Sequence, residues 1–172
     1  QPGDSLQAII DKVPAGCTVQ LAPGTWQLSE PLALRKPVAL RGSGGSGTNG
    51  GTHLVAAAHL PQLVSVESDL VTIASLVLDG NSHGGQRVKH LVSAYGLPHA
   101  PRRGIHIEDV LFQNLYIEDR CAGDSCEAGR ASGIFAQDAR NLSLVANRFH
   151  TMGSQTTVYG AALTCSGCEN AL

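Results

Sequence analysis

Charge and aromatic rings are both scarce in this sequence. Three Phe, three Tyr and one Trp occur among 172 residues, and charged side chains make up 15 %. Twelve Lys and Arg stand against fourteen Asp and Glu, for a formal net charge of −2, so no basic excess points to a nucleic-acid partner. No apolar run approaches the roughly 20 residues of a membrane-spanning helix, so no membrane span is expected. No secretory leader is visible and the chain opens at Gln1, the expectation for a mature form whose leader has been removed. No second Cys-x-x-Cys and no His-x3-His accompanies the Cys165-Ser-Gly-Cys168 stretch. A four-ligand zinc site therefore lacks ligands.

What the chain has in quantity is small and apolar. Hydrophobic residues are 42 % and there are 20 glycines, a profile of short strands punctuated by tight turns. The length fits one domain, 1–172, with a sizeable core. Of the five cysteines, Cys121 and Cys126 bracket a polar loop, CAGDSC. Cys165 and Cys168 form a lone CxxC, a pattern also open to redox or metal half-site use. The preferred reading is two local disulfides and one spare buried thiol at Cys17, which implies an oxidising compartment and a secreted or cell-surface protein.

Repeats organise the chain. Four segments superpose in their apolar positions: VALRGSG from Val38, VTIASLVLDGN from Val71, GIHIEDVLFQN from Gly104 and NLSLVANRFHT from Asn141. Val38/Leu40 match Val71/Ile73, Ile105/Ile107 and Leu142/Leu144, and a second pair follows at Leu76/Leu78, Val110/Phe112 and Asn147/Phe149. A second column interleaves: Leu32/Leu34, Val64/Val66, Val92/Ala94, Ile134/Ala136 and Leu163/Cys165. Each run has period two, the strand signature. Short strands at a long fixed period bury a continuous core only by stacking successive coils, which predicts a parallel β-helix of about five coils. In TVQL-APG-TWQL, from Thr18, there is no Asn-Gly or Asp-Gly turn to fold a hairpin. The chain is expected to turn a corner there, each strand pairing with the next coil. Residues 4–13 read as an amphipathic capping helix: Asp4 or Ser5 is the N-cap, Leu6, Ile9, Ile10 and Val13 lie at helical spacing, and Pro14 and Gly16 follow.

The stretch DSLQAIIDKVPAGCTVQLAPGTWQLSEPLALRKPVALRGSG, with the later LVLDGN and NLSLVANRF, resembles the pectin-lyase-like family of right-handed parallel β-helices. The resemblance covers nearly the whole chain. It implies a right-handed β-helix and, among activities, polysaccharide lyases, glycosidases, uronate epimerases, phage tailspike domains and non-catalytic surface proteins. The family's W-x-D-H, N-T-D, G-H-G, R-I-K and D-P-H motifs are missing here. The chain stops as a further first-column strand would begin. This gives the expectation of an uncapped C-terminal end, with self-association through that open coil.

Candidate chemistry falls on the outward strand positions and the long loops between columns (42–53, 79–90, 113–132 and 150–160). Outward rows are expected at Thr72/His106/Ser143, at Ala74/Glu108/Val145 and at Asp79/Gln113/His150. Elimination from a uronate needs a base and a cation beside the carboxylate. His106, His150 or Lys89 would be the base and Arg102, Arg103 or Arg148 the cation. Glycoside hydrolysis needs two carboxylates about 5–9.5 Å apart, here Glu108 with Asp79 or Asp119 with Asp124. Tyr95 is an outward ring on which a sugar would stack. Each candidate has a plainer role as well: Asp79-Gly80-Asn81 as a turn, Asn147 as an inward side chain bonded to backbone, the arginines as solvated loop. Asn141-Leu142-Ser143 matches the N-glycosylation sequon. No cofactor is expected; calcium at Asp119, Asp124 and Glu127 would match no known loop. The reading that follows is an extracellular structural or self-assembling protein, as filament subunit or adhesin-like module. The alternative is a carbohydrate-active enzyme or the N-terminal part of one, with a polysaccharide as partner.

Overall fold

The computed structural model describes residues 5–44, 50–116, 131–153 and 160–171. One helix opens it. In α1 (Leu6–Lys12) the N-cap is Ser5, whose Oγ accepts a hydrogen bond from the Ala8 amide at 3.2 Å. The helix ends at Val13, just before Pro14, where the pre-proline backbone is pushed out of the helical region. Its apolar stripe is the predicted one: Leu6 and Ile10 are buried, and Ile9 and Val13 pack against the same core. Among the described residues no helix is long and apolar enough to cross a membrane.

The rest is strand. In chain order these are β1 (Thr18–Gln20), β2 (Gly24–Leu28), β3 (Leu32–Leu34), β4 (Ala39–Arg41), β5 (Thr52–Ala56), β6 (Leu60–Val66), β7 (Thr72–Asp79) and β8 (Val88–Tyr95). Then come β9 (Arg102–Arg103), β10 (His106–Tyr116), β11 (Ala131–Gln137), β12 (Ala139–Arg140), β13 (Ser143–Val145), β14 (Arg148–Gly153) and β15 (Gly160–Ser166). A single 3-10 turn, Ser82–Gly84, joins β7 to β8. The described strands form three sheets in which every ladder is parallel. One follows the order β1-β4-β7-β10-β13 with β2, β5 and β14 alongside, one the order β3-β6-β8-β11-β15, and a short one pairs β9 with β12.

The ladder registers match the apolar columns of the sequence. Leu40 pairs Ile73, Ile73 pairs Ile107 and Ile107 pairs Leu144. Leu34, Val66, Ala94, Ala136 and Cys165 form the corresponding row of the second sheet. β1 pairs β4 and β2 pairs β5, so the two strands around Ala22-Pro23-Gly24 do not pair with each other. Between the main sheets lies one apolar core, with Leu34, Leu40, Leu54, Ile73, Leu78 and Phe112 inaccessible to solvent. Phe112 stacks on Phe149, ring centres 4.7 Å apart.

Positive φ recurs at matched stations. Ser75, Asp109 and Ala146 bend successive strands at φ 54, 50 and 53. That extra residue explains why inward positions jump by three there, from Ile73 to Leu76 and from Ile107 to Val110. Leu70, Gly104, Asn141 and Asn170 turn one corner, with φ between 54 and 66. Only the glycine adopts this region without a steric penalty. Asn170 Nδ2 donates to Asn141 Oδ1 at 3.3 Å, linking two of these corners.

Three expectations need correction. The span 42–53, read as a loop, runs into strand β5, which pairs β2 and β7. Ala74 stands in its expected outward row, between Arg41 and Glu108, yet is fully buried; its methyl is too short to reach past those longer neighbours. Leu163, expected inward, is 38 % exposed, and Cys165 is exposed with it. Both lie on β15, which among the described residues pairs with β11 alone.

Candidate functional site

The first sheet carries two polar groupings. In the row Val55–Asp79–Gln113–His150, the ladders set Asp79 and His150 two strands apart, about 9.6 Å along the stacking direction. Asp79 is a hub. Its carboxylate accepts from the Asn81 amide at 2.7 Å, Gln113 Nε2 at 2.8 Å and Asn114 Nδ2 at 3.0 Å. Asn81 in turn donates to the Ala56 carbonyl at 2.8 Å. A carboxylate held by three donors is occupied with closing its corner, the plainer of its two predicted roles. His150 and Arg148 are exposed on β14.

His106 and Glu108 do meet. They share the outward side of β10, two residues apart, with Nε2 and Oε2 3.3 Å from each other and both side chains partly exposed. Thr72 and Ser143 flank His106 in the ladder. This is an acid–base contact on an open sheet surface. The proposed pairing of Glu108 with Asp79 does not form. Asp79 lies opposite Gln113, five residues beyond Glu108, and strand rise puts the two on the order of 15 Å apart. That exceeds the roughly 5–9.5 Å that glycoside hydrolysis uses.

The second sheet gathers rings. Tyr95, at the end of β8, is 46 % exposed, and its ring centre lies 5.0 Å from that of Phe135 on β11. Phe135 in turn lies 4.7 Å from the ring of His90. The ladder sets Phe135 beside Ser93 and Gln137 beside Tyr95. His90 and Ser93 are buried, and His90 Nδ1 and Ser93 Oγ have no hydrogen-bond partner. Burial, reinforced by the neighbouring Lys89 ammonium, lowers the His90 pKa to about 4, so the ring is neutral at physiological pH. Arg102 reaches the shelf edge, its Nε donating to the Tyr95 carbonyl at 3.0 Å. Lys89 is exposed on the same strand. Tyr95 and Arg102, two of the predicted binding residues, are thus brought together, whereas Lys89 lies six residues back along β8, about 20 Å away at strand rise. Phe135 was not among the candidates; His90 fell in the candidate span 79–90, read as loop, and lies instead on β8. The signal for Phe135 was present: with Ile134 and Ala136 inward, period two turns Phe135 outward.

The remaining candidates are dispersed. Arg103 is exposed, and its amide donates to Asp69 Oδ1 at 2.9 Å. Asn141 of the sequon is exposed at its positive-φ corner. Cys165 and Cys168 are joined in a disulfide, and Cys17 is a free, half-buried thiol. Asp119, Asp124, Glu127, Cys121 and Cys126 lie outside the described residues. Among the described residues no group of three or more His, Cys, Asp or Glu side chains is placed to hold a metal ion.

The geometry defines a mostly-β protein built of stacked parallel ladders, with an aromatic shelf on one sheet and a bonded polar surface on the other. No family model, curated protein or solved structure matches the chain.

Proposed function

We propose that the protein is a right-handed parallel β-helix of the pectin-lyase-like kind, capped by α1, that works at the cell exterior as a non-catalytic, polysaccharide-binding module of adhesin type. The observation that carries this reading is the Tyr95–Phe135 shelf: a ring 46 % exposed, braced by a second ring 5.0 Å away. A sugar ring has a C–H face that packs on an aromatic plane, and its rim of hydroxyls takes hydrogen bonds from polar neighbours. Gln137, the ladder partner of Tyr95, and Arg102, bonded to its carbonyl, are the donors beside such a ring. The Cys165–Cys168 bridge supports an oxidising compartment. Binding rather than turnover is favoured because Asp79 is tied into its corner and lies far from Glu108.

The test is retention on a panel of insoluble and gel-embedded polysaccharides, comparing wild type with Tyr95→Ala. The exposed Tyr95 is removable without opening the core, so thermal stability serves as the control. Retention on at least one polysaccharide, weakened ten-fold or more in the variant at unchanged Tm, is the expected outcome. Equal retention of both proteins, or none by wild type, refutes the reading. A second reading, a carbohydrate-active enzyme, is favoured by the His106–Glu108 contact. Release of reducing ends or unsaturated uronates by wild type, abolished in His106→Ala, would establish it instead.

A further inference from the structure

The lining of one concavity includes none of the residues assigned to the shelf. Between the start of α1 and the β2–β3 corner lies a cleft of about 510 Å³, inside the roughly 300–1,000 Å³ range of small-molecule sites. One part of its wall is apolar: Trp26, Leu28 and Pro31. The rim is polar, with Gln27 and Glu30 both exposed. Trp26 is half-buried, and its indole Nε1 donates to the Ala22 carbonyl at 3.3 Å. That bond fixes the ring and satisfies its single polar group.

The charges on the wall select against an anion. Arg35 is the one cation there, and it already faces Glu67 at 3.4 Å and Asp11 at 4.0 Å. Glu30 is left as a carboxylate without a cationic partner among the described residues. An apolar wall with an indole, edged by amide and carboxylate acceptors, matches a ligand with one hydrophobic face, many hydroxyl donors and no negative charge. We infer that this cleft is a binding site for a neutral pyranose sugar, distinct from the Tyr95 shelf.

Trp26 is the only tryptophan in the chain, so its emission reports on this cleft alone. The full-length chain is titrated with cellobiose and chitobiose, and with digalacturonate as the anionic counterpart. A saturable change in Trp26 emission with a neutral disaccharide, at least ten-fold weaker with digalacturonate, is expected. Gln27→Ala and Glu30→Ala change only exposed rim positions, and each is expected to raise the Kd about ten-fold without altering the emission of the free protein. Tyr95→Ala is expected to leave the titration unchanged. The inference is overturned if neither neutral sugar gives a saturable change, if digalacturonate binds as well or better, or if both rim variants bind like wild type. Because Tyr95→Ala retention is read separately, failure here and failure of the shelf are distinguishable.

Discussion

Asn147 sits in a column where its ladder-matched neighbours are Leu76 and Val110, so the simplest intuition replaces it with leucine. The structure predicts that this destabilises. Asn147 Oδ1 accepts from the Val110 amide at 3.0 Å and Nδ2 donates to the Ile107 carbonyl at 2.8 Å. It thereby bonds both backbone groups that flank the bend at Asp109, where φ is 50°. Removing the side chain strands one donor and one acceptor, each at about 1–3 kcal/mol when buried. The site is half-buried, so the lower end applies and the loss is about 2–3 kcal/mol. Full burial of a leucine returns about 1.5–3 kcal/mol; half burial returns about 1 kcal/mol at this site. The net expectation for Asn147→Leu is a loss of about 1–2 kcal/mol, or about 2–8 °C in Tm for a chain this size. Asn147→Asp keeps the acceptor for Val110 but turns an acceptor-only oxygen toward the Ile107 carbonyl, so in neutral buffer it should be destabilised by the lost donor and by oxygen–oxygen repulsion together. Thermal unfolding followed by far-UV circular dichroism reads all three proteins. An Asn147→Leu variant melting at or above wild type would refute the claim that backbone satisfaction outweighs apolar burial at this bend.

The neutral, buried His90 makes stability depend on pH. Its folded pKa of about 4 lies below the ordinary 6.5, so between those values the unfolded chain binds the extra proton and stability falls as pH drops. The loss approaches about 3 kcal/mol by pH 4, and urea midpoints measured from pH 7 to 4 should show it, with the slope flattened in His90→Gln. Asp79→Ala strands the donors of Gln113, Asn114 and the Asn81 amide. It should cost about 3 kcal/mol in chemical denaturation, with Asp79→Asn in between. Peptide mapping without reductant should recover Cys165 and Cys168 as one bridged fragment, while Cys17 is alkylated on unfolding; a bridge from Cys17 to either would contradict the structure. Phe112→Ala, which empties a fully buried site stacked on Phe149, should cost about 3–5 kcal/mol by the same denaturant assay.

The fold was legible where one physical signal repeated. Period-two runs at offsets of 33, 34 and 37 residues located the ladders, because stacking in register forces equivalent residues into rows. Pro14 and a serine cap bounded α1 for local steric and hydrogen-bonding reasons. Legibility failed where parity or reach intervened. Strand β5, THLVA, alternates cleanly, with Thr52, Leu54 and Ala56 buried. Its counterpart is the LVLD half of VTIASLVLDGN, Leu54 pairing Leu78, but the separation there is 24 residues and not the 33 of the first half, so a search at fixed offset passed over it. Ala74 shows that an outward position is not an exposed one when its neighbours are Arg41 and Glu108. Of the site, sequence parity placed Tyr95 and the His106/Glu108 side correctly. It could not show that Asp79 was held by three donors, because those come from residues up to 35 positions away.

The polar side chains divide by what they are bonded to, and that division separates scaffold groups from groups left to meet a ligand. Asp79 holds Gln113 and Asn114; Arg140 pairs with Glu169 at 2.9 Å, Arg35 with Glu67, and Asn147 with backbone. These bonds run from one strand or corner to the next, so each stabilises the stacking of neighbouring segments and is satisfied without a ligand. Tyr95, Phe135 and the rim of the Trp26 cleft differ. Their contacts are with rings or apolar walls, and Gln27 and Glu30 present acceptors toward solvent. In a row such as Arg35–Glu67–Tyr95–Gln137, which continues the β3-β6-β8-β11 register by one residue, the ion pair at one end belongs to the scaffold. The exposed ring two strands on is free to meet something else. A mutation in the first kind of group should therefore register in Tm before it registers in binding, and one in the second kind the reverse. Asp79→Ala and Tyr95→Ala, measured side by side for both properties, put that opposition to a direct comparison.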